Sequence, residues 1–311
     1  MSVVGQLPRA VTVRVPAKVN LELRVGPLGA DGYHELSTVF LAVGLYDEVS
    51  VTRWSAWQVT AGGSYGRKTP LGEDNLVIKA AKLVAERAEI DECLSVHIDK
   101  EIPVAGGMAG GSADAAATLV ACDQLWGTGL DKDEFLDMAA ELGSDVPFLL
   151  GGGVAVGSRR GDELAPVLAR GSYHFVFAIS DEGLSTPAVY AECDRLRGAL
   201  WVPHPSPSAE MMTALRAGDA VLLAAALHND LEPAALSLRP GLGDIMEAGG
   251  EFGALGAIIS GSGPTVVFVT ADHESALDLS VSLAASEVAA HIKLARGPVH
   301  GAQVVAGPRA P

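Results

Sequence analysis

"EIPVAGGMAGGSADAAATL", residues 101–119, sets four glycines within positions 106–111, directly against an alanine-rich run. Glycine is the costliest residue to order and a poor helix former, whereas alanine is the best. The preceding "LSVHID", 94–99, alternates with Leu94, Val96 and Ile98 on one face, as a half-buried strand does. The order is therefore a strand, a bare loop, and a helix starting near Ser112. Backbone N–H groups converge in such a loop, and the helix start adds unpaired donors and the positive dipole end. The stretch predicts an anion site, most often for phosphate. A tightly packed turn is the plain alternative.

Outward from the loop, strand and helix signals interleave. "NLVIKAAKLVAER", 75–87, puts Leu76, Ala80, Leu83 and Val84 on one helical face, with Asp74 or Asn75 as the cap. "DKDEFLDMAAELG", 131–143, has Asp131 as cap, Glu134 three residues on, and Gly143 as the stop. "VTVRV", "NLELRV" and "YHFVFAIS" read as strands, and "GGGVAVGSRRGDELAPV" reads as a hairpin turning near Arg160–Asp162. The spacings are too irregular for repeated βαβ units, so the fold class is α+β. A boundary near Gly171 gives two domains, 1–170 and 171–311. "VPHPSPS", 202–208, is a loop inside the second.

The chain of 311 residues is 49% apolar and carries a formal charge of −16. It is long enough for two cores, and its acidity argues against general nucleic-acid or membrane-surface binding. An anionic ligand must then be attracted by local devices. Cys93, Cys122 and Cys193 are few and scattered, and no secretory or membrane-spanning pattern is evident, so a reduced cytoplasmic setting is expected. The eight histidines show no metal-binding spacing.

The familiar phosphate loops fail by letter. There is no GxxxxGKS/T, "GGMAGG" has the wrong spacing for GxGxxG, and the protein-kinase and GxSxG signatures are missing. "PVAGGMAGGSADAAA" instead resembles the PxxxGLGSSAA-type loop of the GHMP small-molecule kinases. Three more segments agree in order: "PAKVNLELRV" with "DGYHEL", "LGSDVPFLLGGGVAVGSRRGDEL", and "IISGSGPTVVFV". The resemblance runs from about residue 11 to 270. The first of these segments, with "GSDVPF", points to the branch that phosphorylates a cytidine diphosphate-linked sugar alcohol.

The resemblance implies an N-terminal domain like that of a ribosomal protein, a ferredoxin-like C-terminal domain, and an active site in the cleft between them. It implies Asp145 as the catalytic aspartate, accepting the acceptor's proton, and Lys18 beside it, polarising the acceptor oxygen or the moving phosphoryl. Read alone, Asp145 is an N-cap and Lys18 a solvated edge lysine. ATP is the expected co-substrate, arriving with Mg²⁺, whose protein ligand is left unassigned. Its phosphates fall to Pro103, Val104, Ala105, Gly106, Gly107, Met108, Ala109, Gly110, Gly111, Ser112 and Ala113. Lys100 and Asn75 are placed near the nucleoside. Alanine at 109, where glycine is frequent, is acceptable only if that residue avoids positive φ. Tyr33 and His34 are matched to cytosine recognition and Tyr190 to the base's other side, although a core tyrosine is equally compatible. Asn20 is placed at the erythritol end. Gly261, Ser262 and Gly263 close over the phosphate or acceptor site.

Two rivals remain at this stage. One is another GHMP kinase or decarboxylase, which has no reason to carry "DGYHE" beside "PAKVN". The other is a non-catalytic nucleotide- or RNA-binding module, which the acidic charge opposes.

Overall fold

Strand β1 (Ala10–Leu28) is one continuous run through both of the segments that alternate in the sequence. The computed structural model describes residues 10–306. β1 pairs antiparallel with β2 (His34–Trp54), with register shifts after Pro16, between Asn20 and Glu22, and before Leu28. Proline cannot donate to the ladder, so an irregularity is expected there. β3 (Gln58–Gly62) and β4 (Cys93–Asp99) extend the sheet beyond β2. β5 (Val154–Arg159) and β6 (Glu163–Pro166) form the expected hairpin and pair with β2 through β5.

Four helices accompany this sheet. In α1 (Leu76–Arg87), Asn75 caps by accepting from the Val77 N–H. In α3 (Lys132–Leu142), Asp131 and Glu134 complete the capping box, which satisfies two otherwise orphaned N–H groups. α2 (Gly110–Trp126) begins two residues before Ser112 and is buried along most of its length. Its alanines let it approach the sheet closely, so Ala113, Ala115, Ala116, Ala117 and Leu119 join Val19, Leu41 and Val96 in one core. α4 (Val146–Gly151) is a short helix with Pro147 in its first turn.

The second sheet starts with β7 (Tyr173–Ile179), two residues past the expected boundary, and is antiparallel throughout. Its order is β11 (His291–Gly297), β7, β10 (Val266–Thr270), β9 (Gly256–Ile259). α5 (Thr186–Arg197) follows β7, and five more helices fall between Ala209 and Ala285. A second core, with Val176, Val189, Leu231, Ile259 and Phe268, covers one face of this sheet, whereas Phe175, Phe177, Val267 and Val269 on its other face join the first core.

The two units are not consecutive halves of the chain, as a single cut at 170/171 would make them. β8 (His228–Asn229) pairs parallel with β1, and β12 (Gln303–Ala306) pairs antiparallel with it. Strands this short carry too little pattern to be read in advance. They tie the second unit to the strand that bears Lys18.

Candidate active site

Successive side chains of a strand point to opposite faces. In β1, Val19 and Leu21 therefore enter the core while Lys18 and Asn20 face the cleft between the two units. The cleft is a cavity of about 380 Å³. Lys18 and Asn20 form part of its wall, and the turn before α4 brings Asp145 to the same wall. Most of the glycine loop, Ala105–Gly107 and Ala109–Ser112, lies along another side, and Gly261–Gly263 along the rim from the second unit.

The Lys18 ammonium is buried, yet it stands 3.8 Å from Asp145 Oδ2. It donates to Asn20 Oδ1 at 2.7 Å and to the Gly107 carbonyl at 3.3 Å, and lies 5.5 Å from the Phe40 ring centroid. Asn20 in turn donates to Thr38 Oγ1 at 2.8 Å, and Thr38 donates to the Glu22 carbonyl at 2.9 Å. This chain fixes the direction of the ammonium. Asp145 does occupy the N-cap position of α4, but its side chain makes no cap hydrogen bond. The carboxylate is thus left to the cleft, and the plain reading of Asp145 as a capping residue does not hold.

The loop is more strained than the sequence allowed for. Ala105 and Ala109 both sit at positive φ, +56° and +59°. Ala109 thus adopts the conformation that its being alanine seemed to exclude, at roughly 1–2 kcal/mol for an L-residue. Gly107, at φ +75°, lies so close to the second unit that a Cβ would meet the Ser260 carbonyl at 2.1 Å. Its own carbonyl also accepts from Ser260 Oγ at 3.0 Å. Asn229 pins the facing turn by donating to the Ile259 and Gly261 carbonyls at 2.7 and 2.8 Å. Thr186 Oγ1 and Ser262 Oγ are 2.8 Å apart. The N-terminus of the 17-residue α2 therefore opens toward a cavity walled by bare amides, a setting that favours anions.

Other predicted residues are placed differently. Pro103, Met108 and Ala113 are buried and, with Val104, form no part of the wall. Lys100 does not reach the cleft: it is 1% exposed and bound to Asp47 and Asp114. Asn75 is spent on capping α1. Tyr190 lines the cavity, and burial, with the Asp145 charge, pushes its phenol up to about 12. His34 packs on it at 5.2 Å between ring centroids and bonds Asp194 at 2.9 Å. Tyr33 is exposed, with the Arg160 guanidinium 3.7 Å over its ring and Arg160 held by Asp31 at 3.0 Å.

Arg160, Thr186 and Asn229 went unrecognised in the sequence. The signal for Arg160 was a cation in a turn of an acidic chain; the other two have none, because their roles arise only from contacts with the turn at Ile259–Ser262, distant from them in sequence.

Comparison with known proteins agrees with this geometry. The description "GHMP kinases N terminal domain" matches residues 75–153 and "GHMP kinases C terminal" matches residues 211–287. The chain belongs to the GHMP kinase family. It is 52% identical over 296 residues to the 4-diphosphocytidyl-2-C-methyl-D-erythritol kinase of Streptomyces avermitilis, covering 95% of this chain and 100% of the relative. It is 50% identical over 306 residues to the protein of that name in Salinispora arenicola, covering 96% and 97%. The crystal structure of a 4-(cytidine 5'-diphospho)-2C-methyl-D-erythritol kinase superposes with a TM-score of 0.75 at 29% identity, covering 91% of this chain and 98% of that one. Within the family the chain belongs to that branch.

Proposed function

We propose that the protein transfers the γ-phosphoryl group of ATP to the 2-hydroxyl of 4-diphosphocytidyl-2-C-methyl-D-erythritol. The products are ADP and the 2-phosphate, a step of the methylerythritol phosphate route to isoprenoid precursors. The reading is supported above all by one observation: the Lys18 ammonium and the Asp145 carboxylate stand 3.8 Å apart in the same cavity as the glycine loop.

Phosphoryl transfer asks for alignment, charge neutralisation and a destination for the hydroxyl proton. In this reading Asp145 takes that proton or orients the hydroxyl that carries it. Lys18 faces the oxygens where charge moves. The amides of Ala105–Gly107 and Ala109–Ser112, at the start of α2, hold the triphosphate, and magnesium would come as the metal complex of ATP, with Ser112 on the cavity wall to meet it. Tyr190, His34 and Tyr33 receive the cytosine, with Asn20 near the erythritol hydroxyls. The unit built on β1–β6 and α1–α4 carries the ATP machinery, and the unit from β7 to β11 covers it. A cytoplasmic location follows from the substrates, and no helix among the described residues is long and apolar enough to cross a membrane.

The test is turnover. The purified chain with ATP and magnesium is offered the cytidylated alcohol, homoserine and mevalonate, and products are followed by phosphorus NMR. A new phosphate monoester on the cytidylated alcohol alone is expected. Preference for either free alcohol would overturn the assignment.

A further inference from the structure

Lys100, Asp47 and Asp114 are buried together beneath the glycine loop, at 1%, 0% and 3% exposure. Lys100 follows β4, Asp47 lies within β2, and Asp114 is in the first turns of α2. The Lys100 ammonium donates to Asp47 Oδ2 at 2.5 Å, to Asp114 Oδ2 at 2.7 Å and to the Gly110 carbonyl at 2.9 Å. The other oxygen of Asp47 accepts from the Glu101 and Ile102 N–H groups at 2.6 and 2.8 Å. Residues 101–102 lead into the loop and Gly110 leads out of it. A Cβ on Gly110 would stand 2.9 Å from the ammonium, so the exit is shaped around Lys100.

We propose that these three side chains are a buried clamp that joins the two ends of the loop and so sets its affinity for the triphosphate. They are positioning residues, since none of them lines the cavity. The proposal rests on the kinase reading for the identity of the ligand. A loop with four glycines and two alanines at positive φ loses much freedom when ordered. Charge-assisted bonds at both ends hold it in shape beforehand, so that binding does not bear the ordering cost.

The charge balance fits a site for anions. Two carboxylates around one ammonium would leave a negative charge directly beneath the phosphates, and Asp114 Oδ1 has no hydrogen-bond partner among the described residues. Burial, opposed by Lys100 and reinforced by Asp47, pushes Asp114 well above the usual carboxylate range. Burial opposes the charge on Lys100, but the two aspartates outweigh it and hold its pKa above that of an ordinary lysine. Burial thus favours the neutral form of Asp114, which lessens the negative charge beneath the loop.

The test measures ATP affinity by calorimetry without acceptor, then kcat and both KM values, on the full chain. Lys100→Met is expected to raise the Kd and KM for ATP at least tenfold while the acceptor KM stays within twofold. Asp114→Asn, which keeps the shape and the acceptor oxygen, is expected to weaken ATP less than threefold. A folded Lys100→Met with wild-type ATP affinity overturns the clamp. So does an equal rise in both KM values, the mark of a generally loosened fold. Should that variant not fold, Asp47→Asn is read by the same two criteria. Wild-type ATP binding without turnover of the cytidylated alcohol would sink the substrate assignment and leave the clamp standing.

Discussion

Asp145→Asn removes a charge from the cleft while leaving the backbone around it as it is. The side chain at this N-cap position accepts no helix N–H, so the substitution breaks no cap. What it loses in the folded state is the attraction to Lys18 at 3.8 Å, with side chains 28% and 6% exposed. Coulomb's law at an effective dielectric near 20 gives roughly 4 kcal/mol for such a pair. Desolvation offsets most of that, so stability falls by about 1 kcal/mol or less, a shift of about 2–3 °C in Tm for a chain of this size. Loss of a positioned proton acceptor acts on the barrier instead, by about 10²–10⁴ in kcat. At 1.36 kcal/mol per decade that is about 3–5 kcal/mol, several times the effect on folding. The assay couples ADP release to a spectrophotometric signal and is run beside a melting curve and an ATP titration. The expected outcome is a kcat lower by at least a hundredfold, an ATP Kd within threefold, and a Tm within about 3 °C. A variant within tenfold of wild-type kcat would refute the proton-acceptor role. A Tm lower by about 8 °C or more would show that Asp145 supports α4 after all.

Gly107→Ala must push apart two turns that touch, since its Cβ would lie 2.1 Å from the Ser260 carbonyl and its φ is +75°. A cost of about 2–5 kcal/mol in thermal unfolding is expected, with a large loss of ATP affinity; a silent substitution would mean that the two turns are not in register. Ala109→Gly relieves an alanine held at φ +59°, worth about 1–2 kcal/mol, against about 0.4–1 kcal/mol of added unfolded-state freedom. Tm is expected to rise slightly, and a clear fall would show that the left-handed conformation carries no strain. Tyr190 titrates at about 12 when folded and near 10 unfolded, so the folded chain holds the extra proton between those values. Stability is then complete below pH 10 and falls as pH rises toward 12, by up to roughly 3 kcal/mol. Tyr190→Phe is expected to flatten that fall in a Tm–pH series, whereas Tyr190→Ala raises the KM of the cytidylated substrate about 5- to 150-fold through lost stacking.

Elements whose own residues carry both a start and a face were legible in the sequence. Asp131, Glu134 and the Phe135–Met138–Leu142 face define α3 without help from the rest of the chain, and Asn75 does the same for α1. The "SGSGP" turn between two apolar runs fell between β9 and β10. What the sequence withheld is what depends on distant partners. β1 is buried on both faces from Val15 to Leu23, so its alternation fades and two strand signals hid one strand. Lys100 reads as a cation beside a phosphate loop, and only the fold reveals two aspartates from β2 and α2 waiting for it. Ala109 looked like evidence against a left-handed residue because propensity is local. The loop is instead held by contacts at Lys18, Ser260 and Gly110 that over-determine its backbone.

These placements also bear on how an acidic chain handles an acidic nucleotide. Lys18 and Arg160 are the two cations on the cavity wall among the described residues, and the cation nearest the loop in sequence, Lys100, is turned inward and paired with Asp47 and Asp114. In the proposed reading the triphosphate is therefore held mainly by amide dipoles, which grip ATP and ADP alike. Binding shared equally by substrate and product does nothing for the chemical step. Lys18 is different, because Asn20 and the Gly107 carbonyl aim it at the gap before Asp145. In that reading its charge acts where the phosphoryl group is in transit, and there attraction grows as the transition state is reached. A cleft lined with lysines would hold nucleotide more tightly and release ADP more slowly. Sparing the cations elsewhere leaves the Lys18 ammonium to favour the transfer over the resting complex.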